Sequence, residues 1–262
     1  MLLQEMSWPE LGALAPDTPI VLPIAACEQH GTHLPVFTDS LLLGEVVRRV
    51  AARRGDRVLF APLLWLGNSH HHLDFPGTLS AAPRTYLDLL GDLLENVLAH
   101  GFRRVLLLNG HGGNIVPMQQ AIFEARQRHR ERSDLLLLAA TYWPLGSRPR
   151  EVDPHFQQEH MGHACEWETS MMLRLAPHLV GAVATLKPIG GPNAFEPAAR
   201  GWITRERSEP GYLGNPRAAT AEKGETLFSL FAADVVALLD RILAWDGHSW
   251  GDDSSAVPMA ES

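Results

Sequence analysis

Glu28, His30 and Asp39 lie within twelve residues in Cys27-Glu28-Gln29-His30-Gly31-Thr32-His33-Leu34-Pro35-Val36-Phe37-Thr38-Asp39. The segment follows directly on an apolar run, Ile20-Val21-Leu22-Pro23-Ile24-Ala25-Ala26, that reads as a buried strand. Carboxylates mixed with imidazole form the donor set of a hard or borderline divalent metal. On an extended backbone the alternation Glu28-x-His30 puts both side chains on one face. Asp39 opens a helical pattern, where it is a third ligand or, with Thr38, only an N-cap. Burying two carboxylates without a cation is costly, and that favours the metal.

A second apolar run, Arg104-Val105-Leu106-Leu107-Leu108, leads into Asn109-Gly110-His111-Gly112-Gly113-Asn114. Three readings compete here: His111 as a metal ligand among glycines that permit close packing, a phosphate cradle of backbone N–H groups, or a purely structural turn. The loop is neither the dinucleotide fingerprint nor a P-loop and no lysine follows, so the ligand reading leads. Gly162-His163-Ala164-Cys165-Glu166-Trp167-Glu168-Thr169-Ser170 brings two acids and an imidazole to a helix start. Glu166 and Glu168 diverge on a helix, so one faces the site and the other interacts with the helix N-terminus. Cys165 is a nucleophile or buried filler; nothing nearby in sequence lowers its pKa, which favours filler. The triplet His70-His71-His72 can send one ring into a pocket, although for each of the three a structural or exposed role outweighs a catalytic one.

The elements that must position these groups alternate. Strands are expected at 19–26, 57–63, 103–108 and 134–140, with helices at 38–54, 83–101 and 114–132. Leu41, Leu42, Val46, Val47 and Val50 recur at helical spacing, as do Leu87, Leu90, Leu94 and Leu98. Continuous apolar strands indicate burial on both faces, the habit of a parallel sheet. An α/β layered domain with right-handed crossovers follows. Its ligands should bind beyond the carboxyl ends of the strands, where Glu28, His72, His111 and Tyr142-Trp143 all emerge. A further helix should start near His163 and turn Trp167, Met171, Met172 and Leu175 inward, and another should span 219–245. Residues 1–246 read as a single domain and 247–262 as a flexible tail.

Composition excludes several classes. The 262 residues are 45% hydrophobic and 20% charged, enough apolar material for a sizeable core. A net charge of −8 argues against nucleic acid or an anionic membrane as partner. Two cysteines, Cys27 and Cys165, each inside a polar motif, do not make a disulfide scaffold. No apolar run approaches the roughly eighteen residues of a membrane span, and the start lacks a signal-peptide pattern; a cytoplasmic location is expected. Thirteen histidines, mostly grouped in the segments above, point to metal or proton-transfer chemistry. His100, His129, His178 and His248 stand in polar or helix-end contexts and should only pack or hydrogen-bond.

Taken together, the segments resemble the creatininase family of creatinine amidohydrolase-like proteins. The resemblance is carried by Glu28-Gln29-His30-Gly31-x-His33-Leu34-Pro35 with Thr38-Asp39, by His72-x-x-Phe75-Pro76-Gly77-Thr78, and by Asn109 to Asn114. His163-Ala164-x-Glu166-x-Glu168-Thr169-Ser170 and Gly214-Asn215-Pro216 with Ala219-Thr220-x-x-Lys223-Gly224 complete it. It runs in order from about residue 5 to 240. It implies a three-layer α/β/α sandwich with a mostly parallel central sheet, two divalent metal ions per chain (Zn²⁺, Mn²⁺ or Fe²⁺) and a homo-oligomer, commonly a hexamer. Glu28, His30, Asp39 and His111 inherit ligand roles, with Asp39 as the bridge, and His163 matches the family's catalytic histidine. True creatininases carry an aromatic residue and then an acid just after the third motif's histidine, where this chain has Gly112 and Gly113. The missing carboxylate is therefore assigned to Glu168, as ligand and catalytic group, with Glu166 second. Glycine-rich versions resemble the branch holding ribonucleotide deformylases and the mycofactocin precursor peptidase.

The function expected is a metal-dependent amidohydrolase that cleaves a C–N bond of a small molecule or peptide end. His72, Tyr142, Trp143 and Glu166, with Trp202, are the residues expected to line its substrate pocket. The rivals are a non-catalytic module holding a phosphorylated ligand on the glycine loop, and an assembly protein with purely structural cations. Acid and histidine in excess of a closed ligand set favour the hydrolase. Recognition of an anionic substrate would fall to Arg200, Arg205 or Arg207, for which a role as solvated loop charges is the favoured reading.

Overall fold

The computed structural model describes residues 1–191 and 193–250. Four strands, β1 (Ile20–Ile24), β2 (Leu59–Phe60), β3 (Arg104–Asn109) and β4 (Leu136–Thr141), form one sheet in the order β2-β1-β3-β4. Every pairing is parallel; Ile20 to Ile24 stand opposite Val105 to Asn109. The helices are α1 (Trp8–Gly12), α2 (Thr38–Arg54), α3 (Pro83–Ala99), α4 (Ile115–Arg128), α5 (Pro149–Val152), α6 (Glu166–Leu175), α7 (Thr204–Arg207) and α8 (Ala221–Ala244). The part of the expected tail from 251 to 262 lies outside the described residues.

Alternation along the strands divides the interior into two cores. Val21, Ala25, Phe60, Leu106 and Leu108 face α2, α6 and α8, whose buried Leu42, Val46, Met171, Phe228 and Phe231 complete that layer. Ile20, Leu22, Ile24, Leu59, Val105 and Leu107 face α3 and α4 through Leu90, Leu94, Leu98, Met118 and Ala121. With both faces covered, the strands are apolar throughout, as parallel sheets require. Each fully buried Leu, Ile or Phe contributes about 1.5–3 kcal/mol of transfer free energy. The result is the three-layer α/β/α arrangement.

Two expected elements are shorter than their apolar patterns. The strand expected over 57–63 keeps regular pairing only at Leu59–Phe60, because the next β1 residue that faces it after Val21 is Pro23, which has no N–H for the ladder. Pairing resumes where Leu64 donates to Pro23 and Ala25 donates to Leu64, both at 2.9 Å. The helix expected to 132 ends at Arg128, and the His129 N–H closes its last turn on Ala125.

Strand order fixes where a site can form. From β1 the chain crosses to β2 on one side, then returns past β1 to β3 on the other. Helices on opposite faces thus leave a crevice beyond the carboxyl ends of β1 and β3, the topological switch point. The α2–α6–α8 layer is pinned at its surface by Glu225. Its carboxylate accepts two bonds from Arg49, at 2.6 and 2.9 Å, and one from Arg174, at 2.7 Å. The Arg49 contact, reinforced by Arg174 against a small burial penalty, lowers the Glu225 pKa to about 2. Since the folded-state pKa is depressed, this stability is present above the unfolded pKa and lost as pH falls. Glu225→Gln should cost about 1 kcal/mol at pH 7, given its half-exposed carboxylate, or about 2–4 °C in Tm. Thermal melts across pH should show that difference shrinking between pH 4.5 and about 2; an unchanged difference at the acid end would contradict the clamp.

Candidate metal centre

β1 runs into Glu28 and His30, the first turn of α2 carries Asp39, β3 ends two residues before His111, and the first turn of α6 carries Glu168. These five side chains converge. His111 Nδ1 lies 3.3 Å from Glu28 Oε1 and 3.0 Å from Asp39 Oδ2. His30 Nε2 lies 3.1 Å from Asp39 Oδ1 and 3.7 Å from Glu168 Oε1. Asp39 therefore stands between two imidazoles, one on each carboxylate oxygen. It makes no side-chain cap to α2, so the capping alternative falls away.

The outer nitrogen of each imidazole is tied to the main chain. His30 Nδ1 donates to the Glu28 carbonyl at 3.0 Å, and His111 Nε2 donates to the Asn68 carbonyl at 3.0 Å. That bond sets the tautomer and leaves the inner nitrogen to bind, as it does around metal-bound histidines. Glu28 Oε2 and Asp39 Oδ2 are buried and make no aligned hydrogen bond. Two orphaned carboxylate oxygens, buried in a cluster with inward imidazole nitrogens, fit a cation better than any internal partner.

Electrostatics here are dominated by mutual compensation. Burial alone would depress the pKa of His30 and His111. Asp39 with Glu168 outweighs it at His30, and Glu28 with Asp39 at His111, so both sit well above the usual imidazole range. Burial would likewise raise Glu28 and Asp39, but the facing imidazoles hold both below the ordinary carboxylate range.

His163 behaves oppositely. Burial first, then His30 and His72, pushes its pKa well below the usual value, so the ring is neutral at pH 7. Its ring centroid lies 4.4 Å from that of His30 and 4.3 Å from that of His72. Nε2 donates to the Gln29 carbonyl at 2.8 Å, which leaves Nδ1 unprotonated and 3.6 Å from Glu28 Oε1. The Gln29 amide nitrogen donates to the Gly211 carbonyl and to His72 Nδ1, so His72 presents its Nε2 proton to Glu28 at 3.3 Å. Ala164 holds a left-handed φ of 48°, and His33 Nε2 anchors its carbonyl at 3.1 Å. This buried bond keeps the turn that aims His163.

A family model described as creatinine amidohydrolase matches residues 4–239. The chain belongs to the creatininase family. Creatinine amidohydrolase of Pseudomonas putida is 30% identical over 241 residues, 86% of this chain and 91% of that protein. The mycofactocin precursor peptide peptidase of Mycobacterium tuberculosis is 31% identical over 238 residues, 86% of this chain and 85% of that protein. A solved creatininase variant described as the Zn-Zn type superposes with a TM-score of 0.78 at 30% identity, covering 92% of this chain and 97% of that one. A manganese creatininase matches over the same shares, at 29% identity and a TM-score of 0.78.

Gly113 stands where the resemblance to true creatininases led an acid to be expected. A Cβ there would meet the Asn68 carbonyl oxygen at 2.2 Å and His111 Nε2 at 2.5 Å. The backbone has closed on the position, so no side chain fits without a shift. Glu168 reaches the same cluster from α6.

Other expectations need correction. Glu166 was expected beside the substrate, yet it is fully buried and turned away. Its carboxylate accepts from Lys223 Nζ at 2.6 Å and from the amides of Gln157 and Gln158. The one-in-two divergence on α6 sends Glu166 to this buried ion pair and Glu168 to the centre. Tyr142 belongs to the core, 1% exposed and packed edge-on to Trp143; Trp143, His72 and Trp202 do line the cavity of about 600 Å³ over the centre. Burial, with Glu168 nearby, lifts the Cys165 thiol to about 12, which removes it as a nucleophile. Gln29 gained no role from sequence, and His71 was singled out only as one of the His70–His72 triplet. His71 stacks on His111 at 5.8 Å, and only three-dimensional proximity reveals either residue.

Lys223→Met should leave the Glu166 carboxylate buried without its cation and cost about 3–5 kcal/mol. Denaturant titration should show the double change Glu166→Gln with Lys223→Met to be much milder; equal losses would mean the pair is not what holds the segment.

Proposed function

We propose that this chain is a divalent-metal-dependent hydrolase of a C–N amide bond, acting on a small molecule or a peptide end. The observation that carries it is the placement of Asp39 between two imidazoles, each fixed from outside by a main-chain carbonyl. Glu28 and His111 would hold one ion, His30 and Glu168 a second, and Asp39 would bridge them. Ions so held supply Lewis acidity towards a carbonyl oxygen and bring the pKa of water towards neutrality.

The protein's own groups supply the proton chemistry. His163, neutral and with Nδ1 free, accepts a proton as attack begins and returns it to the leaving nitrogen. Its packing between His30 and His72, tilted on the first and stacked on the second, fixes the direction of that transfer. The Nε2 proton of His72 orients Glu28. Trp143, Met161 and Trp202 wall the cavity over the reacting atoms. Gly112 and Gly113, where the resemblance to true creatininases implies an aromatic residue and an acid, leave the wall by His111 without a side chain. That difference supports a substrate other than creatinine, and the peptidase relative supports a peptide-end amide among those to test.

A panel of small amides and dipeptides, offered to metal-loaded and chelator-treated protein, should show amine release only in the first. Asp39→Ala should lose metal and turnover together. His163→Ala should keep its metal while turnover falls about 10²–10⁴-fold. Retained activity in Asp39→Ala, measured beside metal content, would remove the bridging role.

A further inference from the structure

We infer that the substrate carries an anionic group, carboxylate or phosphate, which Arg200 and Arg207 bind at the mouth of the cavity over the metal centre. The inference rests on the amidohydrolase reading for the reaction, but not for the binding. Arg200 and Arg207 are the lysine or arginine side chains in the cavity lining, and both also line an adjoining cleft of about 540 Å³. Five arginines elsewhere are matched: Arg48, Arg49, Arg54, Arg128 and Arg174 each meet a carboxylate within hydrogen-bond distance. The two glutamates of the adjoining cleft are turned to their own backbone. Glu206 accepts from the Ile203 amide and Glu196 from the Asn193 amide. Among the described residues, neither cavity guanidinium has a carboxylate partner.

Arg207 is also aimed. Its guanidinium stacks over the Trp202 ring at 4.6 Å, Trp202 stands edge-on to His71 at 4.9 Å, and His71 stacks on His111 at 5.8 Å. This ladder of flat groups runs from the candidate metal centre to the mouth. A guanidinium held by stacking presents its fork of N–H donors outward with less entropy left to lose on binding. In a chain of net charge −8, two unmatched arginines over a cluster of carboxylates select against a neutral ligand. The group they bind lies at the opposite end of the substrate from the scissile amide, which sits over Asp39.

Calorimetric titration of the metal-loaded protein with N-benzoylglycine, its neutral carboxamide and phenyl phosphate tests this. At least one anion should bind about tenfold or more tighter than the carboxamide, and which one does separates a carboxylate from a phosphate source. The preference should fall below about threefold in Arg200→Gln/Arg207→Gln and largely survive in Arg200→Lys/Arg207→Lys. Should the glutamine pair fail to fold, the single Arg207→Gln carries the same comparison. An undiminished preference without the arginines would mean the anion is held by the metals, and would overturn the inference, as would the absence of any preference in the native chain. Failure of the amidase reading reads differently: no amide is hydrolysed, while the arginine-dependent preference stands.

Discussion

Two carboxylates, Glu28 and Asp39, are buried against two imidazoles, and the rest of the molecule is arranged around that burial. Unpaired, each charge would destabilise the fold by several kcal/mol. Paired with His30 and His111 they are tolerated, yet one oxygen of each remains without an aligned donor. A structure that needed only stability would fill this space with apolar side chains. The retained acids mark a place built to hold positive charge. Around it, main-chain carbonyls of Glu28 and Asn68 fix the rings, so the centre is preorganised by backbone rather than by mobile side chains.

The sheet explains how so many donors reach one point. With the order β2-β1-β3-β4, the loops after β1 and β3 meet at the switch point, and α2 and α6 enter the same crevice from one core face. Side chains distant in sequence, such as Asp39 and Glu168, thereby face a common imidazole. Two buried polar devices support the α6 end. His33 holds the left-handed Ala164, and Lys223 with Glu166 fixes the segment before His163. Neither device faces the substrate, and both determine where His163 points.

Much of this was legible in the sequence because the relevant physics is local. Apolar runs ending in Glu-x-His and in Asn-Gly-His report a strand and the group it delivers, and helical spacing in Leu90, Leu94 and Leu98 reports the covering layer. What failed to show depends on direction and distance. A sequence cannot tell which of two acids two residues apart faces inward, and Glu166 was placed by a lysine 57 residues away. Tyr142 follows a strand end like the site residues, but its ring turned into the core beside Phe231. The shortness of β2 was written in Pro23 of the neighbouring strand, against a misleading apolar pattern. Gln29 and His71 act through neighbours remote in sequence, so no local pattern marks them.

We propose that Glu28, His30, Asp39, His111 and Glu168 form one dinuclear centre. Elemental analysis of the purified protein, reloaded with zinc or manganese after chelation and counted per chain, tests it most directly. About two ions per chain are expected, falling to about one in Glu168→Gln as the His30 side loses its carboxylate. No bound metal after reloading, or two ions undisturbed by Glu168→Gln, would contradict it.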